Sequence, residues 1–448
     1  MLTWTLSNHW IGMGFVIATL TLMLQLLSMF KSRFNPHPEI VRKALHVVMG
    51  TVTLTFPWIF RETWPVAVLA IASATMLSSL GLLSKIVPWN SVLEVNGRRS
   101  YGQICFPLAV GIVFVFSKGD PLLYCIPVLV LTLADAMSAL IGVRYGSHHY
   151  ATVDGEKSTE GSLAFFIVAF LGTHIPLLLF FETGRLEALC LGLIMGILGT
   201  LFEGIAWRGF DNMLIPLGAF FVLQSHLGLP AGELIGRVSM LLLLLAFTVL
   251  WRKKTTLNGS AILGAALFSY FSFAVGGIAW MAMPLIVFAG YRCLMPRRFW
   301  ALEGAHSIYG VISVASTGVL WLLWANHQNA PDLIYPYTIA FAAHASIITI
   351  AHVRARTLNA PRLLVLLAGI AKSWLLLFLP LTAIEGFSLQ SLTMAAVAPM
   401  CIGVPTIAFY LTQRENEAPL TSGNRWLRQA GLAICGSLLG LIPVALIP

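Results

Sequence analysis

The chain reads as an all-α polytopic integral membrane protein with about 14–16 transmembrane helices. Three observations carry this. Of its 448 residues, 58% are hydrophobic and only 10% charged, where a soluble domain carries about a quarter charged residues. Apolar segments of roughly 17 to 23 residues, the length a helix needs to cross a bilayer, recur from one end to the other. The basic residues follow an alternation between loops, so the net charge of +9 marks topology and does not call for a nucleic-acid partner.

Taken in order, the helices are expected near residues 9–30, 44–60, 65–84, 102–117, 121–143, 161–181, 186–207 and 210–227. The series continues near 231–251, 259–276, 278–291, 304–325, 333–353, 361–384, 389–412 and 429–448. The first segment lacks a basic n-region and a small-residue cleavage site, so it is read as a retained helix. With the N-terminus outside, one set of loops carries Lys31, Arg33, Arg42 and Lys43; Lys85, Arg98 and Arg99; Arg144 and Lys157; and Arg208. The same set continues with Arg252, Lys253 and Lys254; Arg292, Arg297 and Arg298; Arg354, Arg356 and Arg362; and Arg414, Arg425 and Arg428. The opposite loops hold Arg61, Lys118 and Arg185. The positive-inside rule makes the basic side cytoplasmic, with a bacterial inner membrane expected. The six cysteines show no CxxC or metal-site spacing and read as free thiols.

The polar motifs fall in residues 1–252, on the cytoplasmic side of that topology. The first is Arg42-Lys43-Ala-Leu-His46-Val-Val-Met-Gly50, in which Arg42, His46 and Gly50 are four apart and share a helical face. Arg42 and Lys43 also serve as topology signals and lipid-phosphate anchors, whereas an intramembrane histidine usually faces the protein interior. The second is Gly97-Arg98-Arg99-Ser100-Tyr101-Gly102-Gln103, a basic loop entering a helix.

The third motif runs from Asp135 to Ser162. Asp135, Ala139, Gly142 and Gly146 line one stripe, a carboxylate followed by residues with almost no side chain. Such a stripe admits another backbone or a phosphate, and Asp135 fits either an interhelical hydrogen bond or a metal. Downstream, Gly155, Lys157, Ser158, Gly161 and Ser162 offer backbone donors, an ammonium and hydroxyls, the parts of a phosphate cradle. The GxxxxGK[ST] order of a Walker A loop is absent. A carboxylate beside a phosphate-binding loop suits Mg²⁺, which takes one or two carboxylates together with phosphate oxygens and water. The fourth motif, Glu203 to Pro216, contributes Glu203 at a helix end and Asp211-Asn212 at a turn or helix start.

In this order RKxxHxxxG, RxxYG, DxxxAxxGxxxG with KSxEGS, and ExxxxxGxDNxxxP resemble the phytol kinase and dolichol kinase family over residues 35–225. The resemblance implies a polytopic membrane enzyme that phosphorylates a lipid alcohol, with CTP as donor and Mg²⁺ as cofactor. It implies catalytic roles for Asp135, Lys157, Asp211 and His46, and metal ligation by Asp135, Asp211 and Glu203. Arg42, Lys43, Arg99, Gly142, Gly146, Gly155, Ser158, Gly161, Ser162 and Asn212 would line the nucleotide site. Partners would be the lipid alcohol, the nucleotide and membrane lipids. On this reading Asp135→Asn abolishes turnover and leaves the fold intact.

Residues 253–448 form a second membrane domain that faintly resembles the phytyl-phosphate kinase family at Leu257–Tyr291. The acidic segment that family carries is replaced by FAAHASIITIAHVRAR at 341–356, with His344 and His352 but no carboxylate. A degenerate or substrate-holding domain is expected, with packed, hydrogen-bonded histidines. Lys372 and Glu385 either pair or snorkel. Two alternatives stay open for the whole chain. One is CMP transfer to a lipid phosphate or CTP-dependent phosphorylation of diacylglycerol. The other, of a different class, is a lipid transporter or flippase, although no inverted repeat with broken helices is visible.

Overall fold

The computed structural model describes residues 8–82, 101–153, 155–294, 306–354, 361–412 and 423–446. Helix follows helix, because in lipid the backbone N–H and C=O groups must be satisfied within their own segment. Eleven of the described helices are long and apolar enough to cross a membrane, and the helices at Trp64–Ser79, Gly102–Phe116 and Ile278–Tyr291 are shorter and also apolar. The protein is an all-α polytopic membrane protein. Arg99, Arg98 and Asp154 lie outside the described residues.

Contacts divide the chain into two units, Met1–Leu241 and Leu242–Pro448. Unit 1 begins with α1 (His9–Phe34) and α2 (Pro38–Leu54), followed by α3 (Phe56–Ile59), α4 (Trp64–Leu82) and α5 (Gly102–Phe116). Helix α2 starts earlier than the hydropathy suggests, since Pro38 suits the first turn and the His37 ring accepts from the Glu39 N–H. That start places Arg42 and Lys43 inside the helix. Next come α6 (Pro121–Leu129), a π-helical stretch Val130–Ala134 and α7 (Asp135–Tyr145), which together make one span. Asp120 begins it by accepting from the N–H groups of Leu122 and Leu123.

A two-stranded antiparallel hairpin, β1 (His149–Thr152) and β2 (Gly155–Ser158), stands where the sequence suggested a loop. Helices α8 (Thr159–Phe180), α9 (Arg185–Ile205), α10 (Asp211–His226) and α11 (Ala231–Trp251) complete the unit, the division between units falling within α11. Helix α8 packs between α7 and α9, α10 packs on α9, α5 and α6, and α2 packs on α6 and α7.

Unit 2 contains α12 (Gly259–Gly276), α13 (Ile278–Leu294), α14 (Ile308–Gln328), α15 (Ile334–Arg354), α16 (Arg362–Glu385), α17 (Leu389–Thr412), α18 (Gly423–Leu438) and α19 (Leu441–Leu446). Its centre is α15, whose apolar window is buried throughout and which is packed by α13, α14, α16, α17 and α18. His344 is fully buried there, its ring nitrogens in contact with Thr317 Oγ1 at 3.3 Å and Gln429 Nε2 at 3.0 Å. Lys372 and Glu385 are both exposed on α16.

Candidate functional site

Unit 1 contains a buried lysine–carboxylate pair. Lys43 Nζ donates to Asp135 Oδ2 at 2.6 Å, and both side chains are less than a tenth exposed. Lys43, His46 and Gly50 are three and four apart, so they occupy the face that α2 turns toward the π-helical stretch. Gly50 is where the two meet. A Cβ there would sit 2.1 Å from Thr132 Oγ1, so any larger residue would push α2 off the next span. The π stretch breaks the regular ladder just ahead of Asp135, a device frequent at functional sites. It also presents the Leu131 carbonyl, which His46 Nε2 contacts at 3.0 Å. A carbonyl only accepts, so Nε2 carries the hydrogen, and the neutral ring has its lone pair at Nδ1. The same Nε2 lies 3.6 Å from Asp135 Oδ2.

A second pair follows from the hairpin. Lys157 Nζ donates to Glu203 Oε1 at 2.7 Å and to the Glu203 backbone carbonyl, which ties the hairpin to the end of α9. Burial works against the charged ammonium, but the facing Glu203 carboxylate outweighs it and holds the Lys157 pKa above the ordinary lysine value. Among the described residues, the other carboxyl oxygen, Glu203 Oε2, is buried with no hydrogen-bond partner. Tyr150 sits directly across the hairpin from Lys157, and its hydroxyl is 2.9 Å from Ser162 Oγ.

The small-residue stripe serves packing. Ser158 caps α8 by accepting from the Gly161 N–H at 3.1 Å. A Cβ at Gly142 would lie 3.0 Å from Ser158 Oγ, one at Gly146 2.7 Å from Ser158 Cβ, and one at Gly161 2.8 Å from the Ser138 carbonyl. These three glycines let α7, α8 and the hairpin close on one another. Gly155, at φ +136°, has open space around it.

Asp211 opens α10 after a left-handed turn at Arg208 and Gly209, with φ of 51° and 84°. Asn212 Nδ2 donates to the Gly102 carbonyl at 2.9 Å, and the Tyr101 N–H donates to the Arg208 carbonyl, so the start of α5 is stitched to this turn. The Asp211 charge is close enough to be felt at Arg42, His46, Lys157 and Glu203. Arg42 forms a two-pronged pair with Glu39, at 2.5 and 3.1 Å. Among the described residues, no three His, Cys, Asp or Glu side chains come together as a complete metal cage. The site therefore gathers two ammonium groups, three carboxylates, an imidazole and a guanidinium within one unit, drawn from α2, α7, α9, α10 and the hairpin.

A phytol kinase of Synechocystis sp. is 30% identical to this chain over 216 residues, 48% of the chain and 90% of that protein. The chain belongs to the phytol kinase-like family. No protein-family profile matches it, and no solved structure does.

For this phytol kinase-like chain, sequence reasoning named most of the polar residues and missed their partners. Tyr150 and the hairpin itself went unseen, although the Tyr-Ala-Thr run suits a strand and Gly155, just beyond it, is a residue that marks turns and strand ends. Thr132 and the Leu131 carbonyl left no sequence signal, because they matter only through where α2 crosses.

Proposed function

We propose that this chain is a membrane kinase that transfers the γ-phosphoryl group of CTP to an isoprenoid or similar lipid alcohol. The observation that carries the reading is the pairing of Lys43 with Asp135 and Lys157 with Glu203, with the Asp211 charge within reach of the second pair. Two ammonium groups held by buried carboxylates are what a phosphoryl-transfer site requires, since its catalysis is positioning and charge neutralisation. The kinship with a phytol kinase supports the lipid-alcohol acceptor. The choice of CTP rests on the family resemblance.

In this reading the lipid hydroxyl oxygen attacks the γ-phosphorus. The bond from that phosphorus to the β–γ bridging oxygen breaks, and CDP leaves. The His46 Nδ1 lone pair takes the hydroxyl proton. Lys43, fixed by Asp135, and Lys157, fixed by Glu203, face the phosphate oxygens and offset the charge that develops on them. Mg²⁺ fits the donor set: Glu203 has an unpartnered carboxyl oxygen and Asp211 opens a helix beside it, whereas Asp135 is engaged by Lys43. Glu203 and Asp211 would hold the ion, which would supply charge neutralisation at the nucleotide phosphates. Asp135 joins them as a ligand only if Lys43 turns away to a phosphate. On this reading the site faces the cytoplasm, which the distribution of basic residues among the loops supports.

The test incubates purified protein in detergent with Mg²⁺ and a panel of lipid alcohols. The donors are γ-³²P-labelled CTP, γ-³²P-labelled ATP and α-³²P-labelled CTP. The γ-label is expected in a lipid product with CTP. Transfer of the α-label instead identifies CMP transfer to a lipid phosphate, and no transfer from any donor overturns the kinase reading.

A further inference from the structure

Unit 2 contains a half-open cavity, about 640 Å³ when the solvent at its mouth is counted, formed where α12, α13, α14, α15 and α18 meet the 255–257 segment. Phe268, Phe288, Phe341 and Trp426 line it, and the remaining wall is almost entirely aliphatic. Its polar side chains are Thr255, Tyr291 and His306; the last two stand together, with the Tyr291 hydroxyl 2.9 Å from His306 Nε2, while Thr255 Oγ1 accepts from the Leu257 N–H. Among the described residues that line the cavity there is no lysine, arginine, aspartate or glutamate.

The polar pair is built in. His306 is 3% exposed, and its backbone is clamped to the preceding connection: its N–H donates to the Thr256 carbonyl, and its carbonyl accepts from the Asn258 N–H. Its ring meets the edge of Trp426 at 5.8 Å, while Ser313 Oγ holds the Trp426 carbonyl at 2.8 Å. Gly310 lets that indole approach, since a Cβ there would be 3.0 Å from it. The cavity is therefore a shaped feature of the fold.

We infer that this cavity is a second lipid site, which holds a neutral long-chain alcohol with its apolar chain among the aromatic rings and its hydroxyl at the Tyr291–His306 pair. Apolar walls with a few placed polar groups are the usual form of a small-molecule site. A phenol and an imidazole can each donate or accept, which matches a hydroxyl that does both. Among the described residues the lining carries no charge, which argues against an anionic terminus, because a buried phosphate without cations is costly. The site lies outside the unit that carries the buried ion pairs, and the inference does not depend on the kinase reading. It gives the second unit a role in holding lipid without chemistry, consistent with the missing carboxylates of α15.

The test is photolabelling of the full-length protein in nanodiscs with a diazirine-bearing C16 primary alcohol, followed by peptide mapping. Label is expected on peptides spanning 284–291 and 310–315, displaced by excess unlabelled hexadecanol and not by hexadecyl phosphate at the same concentration. Ala315→Trp and Ala265→Phe, which plug the cavity from different helices, should each abolish the specific label. Tyr291→Phe should weaken displacement by about tenfold, the worth of one hydrogen bond. Glu203→Gln, in unit 1, should leave the label unchanged. Two outcomes overturn the inference: label spread evenly over lipid-facing helices, or label that persists in both plugged variants when they elute as monodisperse protein. Equal displacement by the alkyl phosphate overturns the neutral terminus.

Discussion

Replacing Asp135 by asparagine separates what the buried pair does for the fold from what it does for chemistry. The Lys43 and Asp135 side chains are 4% and 7% exposed, so Asp135→Asn leaves an ammonium with no compensating carboxylate in a low-dielectric interior. Removing one partner of such a pair costs about 3–5 kcal/mol. This differs from the expectation formed on the sequence, in which the substitution spared the fold. Lys43→Met should cost less, because His46 Nε2 remains 3.6 Å from the carboxylate and can take up a proton to compensate it. The double variant Lys43→Met/Asp135→Asn carries no buried charge at this position and should return to within about 1 kcal/mol of the parent, since neutral replacements of buried pairs are often tolerated. The four proteins form a thermodynamic cycle, read by thermal unfolding in detergent. Turnover is read beside it, by transfer of labelled γ-phosphoryl to lipid. All three variants should be inactive, the double variant included, although it is stable. A double variant that regains both stability and turnover would show the pair to be structural only. Single variants as stable as the parent would refute the burial argument.

Gly50→Ala should destabilise unit 1 by about 1–3 kcal/mol through overpacking against Thr132 and displace Lys43 and His46, with Thr132→Ala restoring part of both stability and turnover. Glu203→Gln keeps the carbonyl contact to Lys157 and removes the facing charge, so turnover should fall at least a hundredfold; the thermal midpoint should fall less than in Asp135→Asn, because the Lys157 side chain is 26% exposed, and unchanged turnover would remove Glu203 from the site. Ser158→Ala removes the cap of α8 and should cost about 1 kcal/mol with a modest loss of turnover, whereas Gly146→Leu at the same seam should prevent folding, as judged by size-exclusion chromatography. Chelation by EDTA should abolish phosphoryl transfer and Mg²⁺ restore it; transfer that persists in EDTA would remove the metal from the mechanism.

Much of this protein was legible without coordinates. Spans of the right length and few charges dictate helices, because lipid offers the backbone no other partner. The residues that converge in unit 1 were visible as polar interruptions of apolar segments, since a charge at membrane depth is rarely idle. The hairpin left a weaker signal, because each of its strands is only four residues long and Gly155 is the one glycine beside them.

Partnership was not legible. Four-residue spacing singled out Arg42 with His46 and Gly50, yet Arg42 pairs with Glu39 and it is Lys43 that reaches Asp135, 92 residues away. Lys157 reaches Glu203 across 46 residues. These choices depend on where helices cross, and the crossings are set by close approaches such as Gly50 on Thr132 and Gly142 and Gly146 on Ser158. Hydropathy specifies that a helix spans; the rotation and depth at which it meets its neighbours come from the volumes of side chains on both, and only the folded structure brings those together.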